Sequence, residues 1–597
     1  MLTAAEPGAA GSLTGRQWVW RGAEDRLGLA LAQRLGVPEV VGRLLAGRGV
    51  GVAGAADFLE PTLRALLPDP SVLADMDVAA GRLARAVRAG ECVAVFGDYD
   101  VDGACSAAIV ALLLRGLGCV VRTHVPDRLL EGYGPNAAAL RGLAAAGASL
   151  IVCVDCGTAA GDILDGVAGL AEVVVLDHHK FEGAPPRVVA TVNPNRPDDG
   201  SGLGGLCAAA IAFLAAVAVV RVLRREGFFD TRAAPDLLGL LDLVALATVC
   251  DVMPLVGLNR ALVTQGLKVM GRRARPGVAA LLAVAGGQEA PSAFTCGFAL
   301  GPRINAAGRI GEAGLGLALL LCEDAGEAAS IAARLDGVNR ERQGVEAAMH
   351  DAAMAAAEAQ VAAGHAAILV VQPGWHPGVV GIMAGRLKER FNRPACVGGV
   401  VDGAGGPVVK GSGRSVPGLD IGAAVIAARQ AGLLLTSGGH AMAAGFNCAP
   451  DAVPAFHAFL DARLAGAASL PAAAALVVEA SVSVAGATLA LARAVGRLAP
   501  FGMGNEDPVL VLPRARVVRA DRCGRENTAL RVLVEGEGGG RLRAMLFRAR
   551  EGSREGALAR VLEGCRGEPV HLAGPLRAEH WNGEDRVGFV IVDAAAA

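Results

Sequence analysis

The sequence predicts an α/β protein of several domains: a parallel-sheet domain, a long linking helix, a second α/β domain and a small C-terminal β-barrel. Three observations carry this. The chain has 597 residues, more than one hydrophobic core serves when domains run to about 100–200 residues. From 91 to about 200, short β-rich runs alternate with helical stretches, the pattern of a doubly wound parallel sheet. From about 475 onward, β-runs separated by Arg and Gly turns replace that alternation.

Taken in order, residues 1–60 read as a flexible start followed by short amphipathic helices. Residues 61–275 hold the strand–helix alternation: ECVAVF, SAAIVALLLRGLG, CVVRTHVP, SLIVCVD and VVVLDHH. Within them LLGLLDLVALATVC (237–250) reads as a helix that delivers Asp251 at its end. Residues 276–365 form a helical linker region with one run from Glu327 to about Gly364. At about 1.5 Å per residue it spans roughly 55 Å, which suits a spacer between domains. Residues 366–470 show a second α/β pattern ending in the Gly-rich TSGGHAMAAGF, and 471–597 hold the barrel-like β-runs.

Composition narrows the partners. The net charge is −2 and only four lysines occur, so any nucleic-acid footprint is local. Segment 514–550 is a candidate, with ten arginines against four acids; the plainer reading is a solvated β-face. The 13 scattered cysteines suggest no disulfide framework. Cys153 and Cys156 flank Asp155 without a second pair for zinc, so they read as small buried residues. The N-terminus lacks the pattern of a signal peptide. The apolar run Leu206–Val220 is short for a bilayer span. A soluble cytoplasmic protein, not bound to membranes, is expected.

The strongest local signal is VAVFGDYDVDGACS. A hydrophobic strand ends, and Asp98, Asp100 and Asp102 follow at alternate positions before Gly103 and a helix. Carboxylates so spaced can converge on one hard cation, at the strand end where open α/β sheets bind ligands. A calcium EF-hand loop would need a Glu where Ile109 stands, and a helix rather than a strand before it. The same three aspartates could also serve as an aspartyl-phosphate nucleophile with its acid/base partner, or form a solvated acidic turn. Asp155 ends a second strand, Asp177, His178 and His179 end a third, and Asp251 ends a helix. Together these segments have the composition of a two-metal site for phosphoryl chemistry, with Mn²⁺ or Mg²⁺ as the ions.

These segments, Asp98–Gly103, Asp155–Gly157, Asp177–His179 and Cys250–Pro254, resemble the four ordered motifs of the DHH phosphoesterase superfamily. Further segments resemble its RecJ family: Glu131–Gly134, Asn193–Asn195, Gly301–Arg309, Gly374–Gly378, Gly411–Ser415, Gly438–His440 and Pro500–Asn505. The resemblance covers roughly residues 60–597. It implies a DHH domain, a linking helix, a DHH-associated domain and an OB-type β-barrel. It implies stepwise 5′→3′ exonuclease action on single-stranded DNA, serving repair and recombination. Single-strand-binding protein and a RecQ-type helicase are implied partners of a monomeric enzyme. Some superfamily members carry a histidine where Phe96 stands; its replacement implies one metal ion with fewer imidazole ligands.

On this reading Asp98, Asp100, Asp102, Asp155, His178 and Asp251 hold two divalent ions, with Asp155 bridging. Asp177 orients a histidine, and His179 contacts the scissile phosphate or leaving oxygen. Arg303, Asn305, Arg309, Arg414, Ser415, Gly439 and His440 are candidate nucleic-acid contacts, with Gly438, Gly439 and His440 read as a loop whose N–H groups approach an anion, and Tyr133 a base-stacking surface. Two rival functions stand beside this one: a DHH phosphodiesterase of short oligonucleotides or cyclic dinucleotides, and a non-catalytic DNA-binding scaffold.

Overall fold

A computed structural model of the chain describes residues 12–597 except 129, 182, 288, 404–405, 472 and 582. Two compact units emerge. One comprises Ala56–Arg342 with the distant segment Pro500–Glu506; the other comprises the described residues up to Ala55, Gln343–Ala499 and Asp507–Ala597. The helix Ala325–Ala362 begins in the first and ends in the second. It runs 38 residues without a break at Gly337 or Gly344. No described helix is long and apolar enough to cross a membrane.

The first strand, β1 (Trp18–Trp20), belongs to the second unit. The first unit is built on β2 (Cys92–Gly97), β3 (Val120–His124), β4 (Leu150–Val154), β5 (Glu172–Leu176) and β6 (Ala190–Val192). All are parallel, in the order β3-β2-β4-β5-β6. The near-continuous apolar sequences of β2, β4 and β5 follow from burial on both faces. Val93, Val95, Val152, Val154 and Val174 enter one core with the helices Met76–Ala89, Val101–Gly116, Ala208–Arg225 and Leu241–Cys250. Ala94, Phe96, Ile151, Cys153 and Val175 point the other way, onto Leu140, Leu164 and Val167. Phe96 is thus core, its ring 5.2 Å from that of His124. The apolar run after Leu206 is the N-terminal part of the buried helix Ala208–Arg225.

The second unit holds two larger sheets. In one, β7 (Ile368–Pro373), β8 (Ala395–Gly403), β9 (Gly406–Arg414), β10 (Thr436–His440) and β11 (Ala443–Cys448) take the order β10-β11-β9-β8-β7. Only β7 and β8 pair in parallel. Gly438, Gly439 and His440, expected in a loop, lie instead in the edge strand β10, paired with β11. β12 (Leu476–Val478) pairs in parallel with β1. The barrel strands are β13 (Ala480–Ser481), β14 (Leu510–Cys523), β15 (Ala529–Glu535), β16 (Arg541–Leu546), β17 (Pro569–Gly574), β18 (Leu576–Trp581), β19 (Glu584–Val590) and β20 (Asp593–Ala596). Ser12 and Trp18 donate hydrogen bonds of 2.6 and 2.8 Å to the buried Asp593 carboxylate, fixing the N-terminal segment to the last strand. Of the flexible start expected within residues 1–60, residues 1–11 lie outside the described residues.

Candidate metal centre

Each functional side chain of the first unit sits where a strand or helix ends. After β2 the chain turns through Asp98, Tyr99 and Asp100 into the helix Val101–Gly116. Asp100 caps that helix, its Oδ1 accepting from the N–H groups of Asp102 (2.9 Å) and Gly103 (3.1 Å). Gly103 is required: a Cβ there would lie 2.3 Å from the Asp98 carbonyl oxygen. Asp102 faces the start of the helix Ala208–Arg225, whose Ala208 and Ala209 N–H groups donate to its two oxygens at 2.7 and 2.8 Å. A helix N-terminus favours such a carboxylate. Asp155 follows β4 with φ of 58°, a left-handed conformation costly for a non-glycine residue. Asp251 caps the helix Leu241–Cys250 at its C-terminal end.

These groups converge. His178 Nε2 lies 3.3 Å from Asp155, 3.5 Å from Asp251 and 3.7 Å from Asp102. Three donor sets have ligand atoms within 4.8 Å of one another: Asp98–Asp100–Asp155, Asp102–His178–Asp251 and Asp155–His178–His179. Asp155 belongs to two of them. Asp98 Oδ1, Asp155 Oδ1 and Asp251 Oδ2 are buried and accept no hydrogen bond. Buried carboxylate oxygens are costly without a partner. Oxygen donors with one or two imidazoles fit a divalent cation such as Mn²⁺ or Mg²⁺.

The electrostatics agree. Burial, then the Asp100 carboxylate, push Asp98 up to about 8. Burial, then Asp102 and Asp100, push Asp251 up to about 8. Burial and four neighbouring aspartates raise Asp155 far above the carboxylate range. Asp177 behaves oppositely. Burial opposes its charge, but bonds from His179 and Thr158 hold it well below the usual range. Its Oδ1 accepts from the main-chain N–H groups of His178 (2.7 Å) and His179 (3.1 Å) and lies 2.8 Å from His179 Nδ1. Burial disfavours protonation of His179, yet Asp177, Asp251 and Asp98 together raise it to about 9.

Several residues of the further motif segments position the ligands from outside the donor set. Asn193 Nδ2 donates to the His179 carbonyl (2.9 Å) and Asn195 Nδ2 to that of His178 (2.6 Å), clamping the histidine loop. Asn305, read as a nucleic-acid contact, instead accepts the Val101 N–H at 3.1 Å and so braces the acidic loop. In the same helix, Gly308 lies so close to Tyr99 that a Cβ would sit 2.7 Å from its carbonyl oxygen. Gly308→Ala should therefore displace the loop and weaken Mn²⁺ binding by about 10–100-fold, as loss of a ligand-positioning contact does. Calorimetric titration would show this; unchanged affinity would remove the brace. Pro500–Asn505 packs behind Asp251: Leu255 donates to the Met503 carbonyl at 2.7 Å.

The remaining candidates are placed as follows. Arg303 is ion-paired with Asp336 at 2.9 Å and donates to the Ala299 carbonyl, an internal contact rather than a free phosphate donor. Arg309 lies in the last turn of its helix, half-buried. Tyr133 is 55% exposed, and its hydroxyl lies 3.2 Å from the His179 ring nitrogens. It flanks the histidine with an exposed ring. In the second unit, Ser415 is fully buried and its hydroxyl donates to the Leu419 carbonyl at 2.7 Å, so it does not face a ligand. Arg414 is held by Ser412 Oγ and the Gly413 carbonyl, both at 2.8 Å. Gly439 and His440 are exposed on β10.

Five of the ten arginines of segment 514–550 share one outward face. Cross-strand rows place Arg516, Arg519 and Asp521 of β14 beside Arg531, Leu533 and Glu535 of β15, and these beside Arg541, Arg543 and Met545 of β16. The alternate residues, such as Val532, Val534 and Ala544, are buried. Arg519 pairs with Asp521 at 2.7 Å and Arg541 with Glu535 at 3.4 Å. Five arginines against two acids leave this face basic.

A parallel sheet that gathers aspartates and histidines at its strand ends, three of their buried oxygens lacking a hydrogen donor, defines a metal-dependent phosphoesterase of the DHH type. Residues 92–248 match the family model of the DHH family, N-terminal domain; 363–466 match the DHHA1 domain and 478–593 the RecJ OB domain. The single-stranded-DNA-specific exonuclease RecJ of Escherichia coli is 39% identical over 426 residues, covering 70% of this chain and 73% of the relative. That of Bacillus subtilis is 33% identical over 574 residues, covering 95% and 69%. The crystal structure of RecJ from Thermus thermophilus in complex with Mn²⁺ aligns with a TM-score of 0.79 at 29% identity, covering 97% of this chain and 80% of that one. The chain belongs to the RecJ family.

Proposed function

We propose that the chain hydrolyses single-stranded DNA as a divalent-metal-dependent exonuclease that removes mononucleotides from the 5′ end through two metal ions. The observation that carries the metal chemistry is the trio of buried oxygens on Asp98, Asp155 and Asp251 that accept no hydrogen bond. Asp98, Asp100 and Asp155 would hold one ion; Asp102, His178 and Asp251 the other, with Asp155 between them. When bound, such ions acidify a water and neutralise charge on the phosphoryl oxygens. Asp177 fixes the ring of His179 and keeps it protonated, so that its N–H can donate to the scissile phosphate or the departing oxygen. Tyr133, beside that ring, presents an exposed aromatic surface to the terminal base. The 5′→3′ polarity rests on the motif resemblance to RecJ.

The RecJ OB match at 478–593 favours a polymer over dinucleotides, and the occupied ligand positions favour an enzyme over a scaffold. Purified protein with Mn²⁺ would be given single-stranded DNA labelled at either end, duplex DNA and a dinucleotide. Immediate release of a labelled mononucleotide from the 5′ end, with duplex spared, is expected. Cleavage of the dinucleotide alone would move the protein to the short-substrate class, and inactivity with every metal would restore the scaffold.

The basic face of β14–β16 is the proposed path for the strand. For single strands the salt slope changes by about 0.7 per phosphate contact. Arg531→Ala with Arg543→Ala should lower the slope of log K against log[salt] by about 1.4 if each holds one phosphate. An unchanged slope would place the strand elsewhere.

A further inference from the structure

Outside the catalytic unit, His365, His457 and Asp461 bring three ligand atoms within 4.8 Å of one another. All three lie within Gln343–Ala499 of the second unit. His457 and Asp461 stand four residues apart on the helix Val453–Arg463, hence on one face. His365 comes from the turn that ends the long helix, its N–H donating to the Gln360 carbonyl at 3.1 Å. Asp461 Oδ1 accepts the Ala367 N–H at 3.0 Å, while Oδ2 contacts His365 Nδ1. The two imidazoles stack with centroids 4.6 Å apart.

The hydrogen bonding fixes a tautomer. His457 Nε2 lies 2.9 Å from the Ala367 carbonyl. A carbonyl only accepts, so Nε2 carries the proton and Nδ1 keeps its lone pair. That is how histidine ligands are commonly oriented, with the second ring nitrogen donating to a backbone carbonyl. An ordinary His–Asp pair would need only His365; the second imidazole, stacked beside it with a free lone pair, is what that pairing leaves unexplained.

We propose that His365, His457 and Asp461 form a second, independent metal site that takes Zn²⁺, with water in the fourth position. Two imidazoles and one carboxylate match zinc sites with three protein ligands. Such nitrogen-rich sites prefer Zn²⁺ to the harder Mg²⁺ and Mn²⁺ of an oxygen-rich centre. Zinc bonds of about 2.0–2.1 Å need donors roughly 3.4 Å apart, so the direct His365 Nδ1–Asp461 Oδ2 contact has to widen, an adjustment made by a small rotation of His365, whose side chain is 39% exposed. On binding, zinc displaces the proton between His365 Nδ1 and Asp461, and that proton moves to the solvent-facing side of the ring or to water. The bound ion would staple the end of the long helix to the helix Val453–Arg463.

The test uses the tag-free full chain carrying Asp155→Ala and His178→Ala, which disables the catalytic centre. After stripping with chelator, re-equilibration with Zn²⁺ and desalting, metal per chain is read by atomic emission. About one zinc is expected, with a visible d–d spectrum of low-coordinate Co²⁺ when cobalt replaces it. Adding His457→Ala should weaken zinc binding at least about 100-fold and abolish both the spectrum and the zinc-induced rise in melting temperature. Circular dichroism checks folding, and the more exposed His365→Ala decides if His457→Ala misfolds. No zinc in the parent double variant, or zinc retained after removal of either histidine, overturns the proposal.

Discussion

Asp155→Asn should lower the turnover of single-stranded DNA at least about a thousandfold while the protein stays folded. Asp155 is the carboxylate that, like His178, belongs to two of the donor sets, and its Oδ1 is buried and accepts no hydrogen bond. Loss of one ion's contribution to phosphoryl charge is worth several kcal/mol, and about 1.4 kcal/mol is tenfold in rate. Asparagine preserves the side chain's shape and tolerates the left-handed backbone at φ of 58°, which alanine does less well. Its effect therefore reports the lost charge. In metal-free protein the same substitution should raise the melting temperature, because it removes a carboxylate repelled by Asp102, Asp100, Asp98 and Asp251. Turnover within tenfold of the parent would refute the bridging role.

The second large effect is on stability, and it couples pH to metal. Asp98 and Asp251 sit at about 8 in the folded, metal-free chain against 3.8 for an ordinary aspartate. Between those values the folded state holds protons that the unfolded state has released. Stability from this source is therefore complete below about pH 4 and is lost as pH rises through about 8. Melting of metal-free protein should fall by several degrees between pH 5 and pH 8.5 on this account. Added Mn²⁺ should reverse the fall, with a metal-induced shift that grows with pH because binding displaces those protons. The Asp98→Asn, Asp251→Asn double variant should lose the part of this dependence that those two carboxylates carry, leaving that of Asp155. An equal slope in parent and variant would show that other groups govern it.

The parts legible in sequence were those that local chemistry dictates. Short β-rich runs alternating with helical stretches announced a parallel sheet, and β2–β6 are parallel, with cores on either side. The helix from Glu327 to about Gly364 has capacity for length in its own composition and is observed as Ala325–Ala362. Acidic and histidine residues at strand ends marked the centre because a strand's period is lost there and polar groups collect. Composition misled at Gly438–His440: glycine suggests a loop, but pairing with β11 supplies the hydrogen bonds that hold a strand. Likewise an arginine in sequence carries no record of its partner, and Arg303 meets Asp336.

The ligand types, their order and the elements that end in them were thus written in the chain. Which donors lie close enough to share a cation, and what holds them in place, emerged with the packed fold. Asp102 is clamped by N–H groups of Ala208 and Ala209, more than a hundred residues away. Asn305 and Gly308 brace the acidic loop, and Pro500–Asn505 supports the turn after Asp251. The Trp18–Trp20 strand finds Leu476–Val478. Each is a contact between segments distant in the chain, made by small or polar residues that leave no periodic signal. Such contacts exist only once the core has packed, because burial is what makes an unpaired hydrogen-bonding group costly and a missing Cβ necessary.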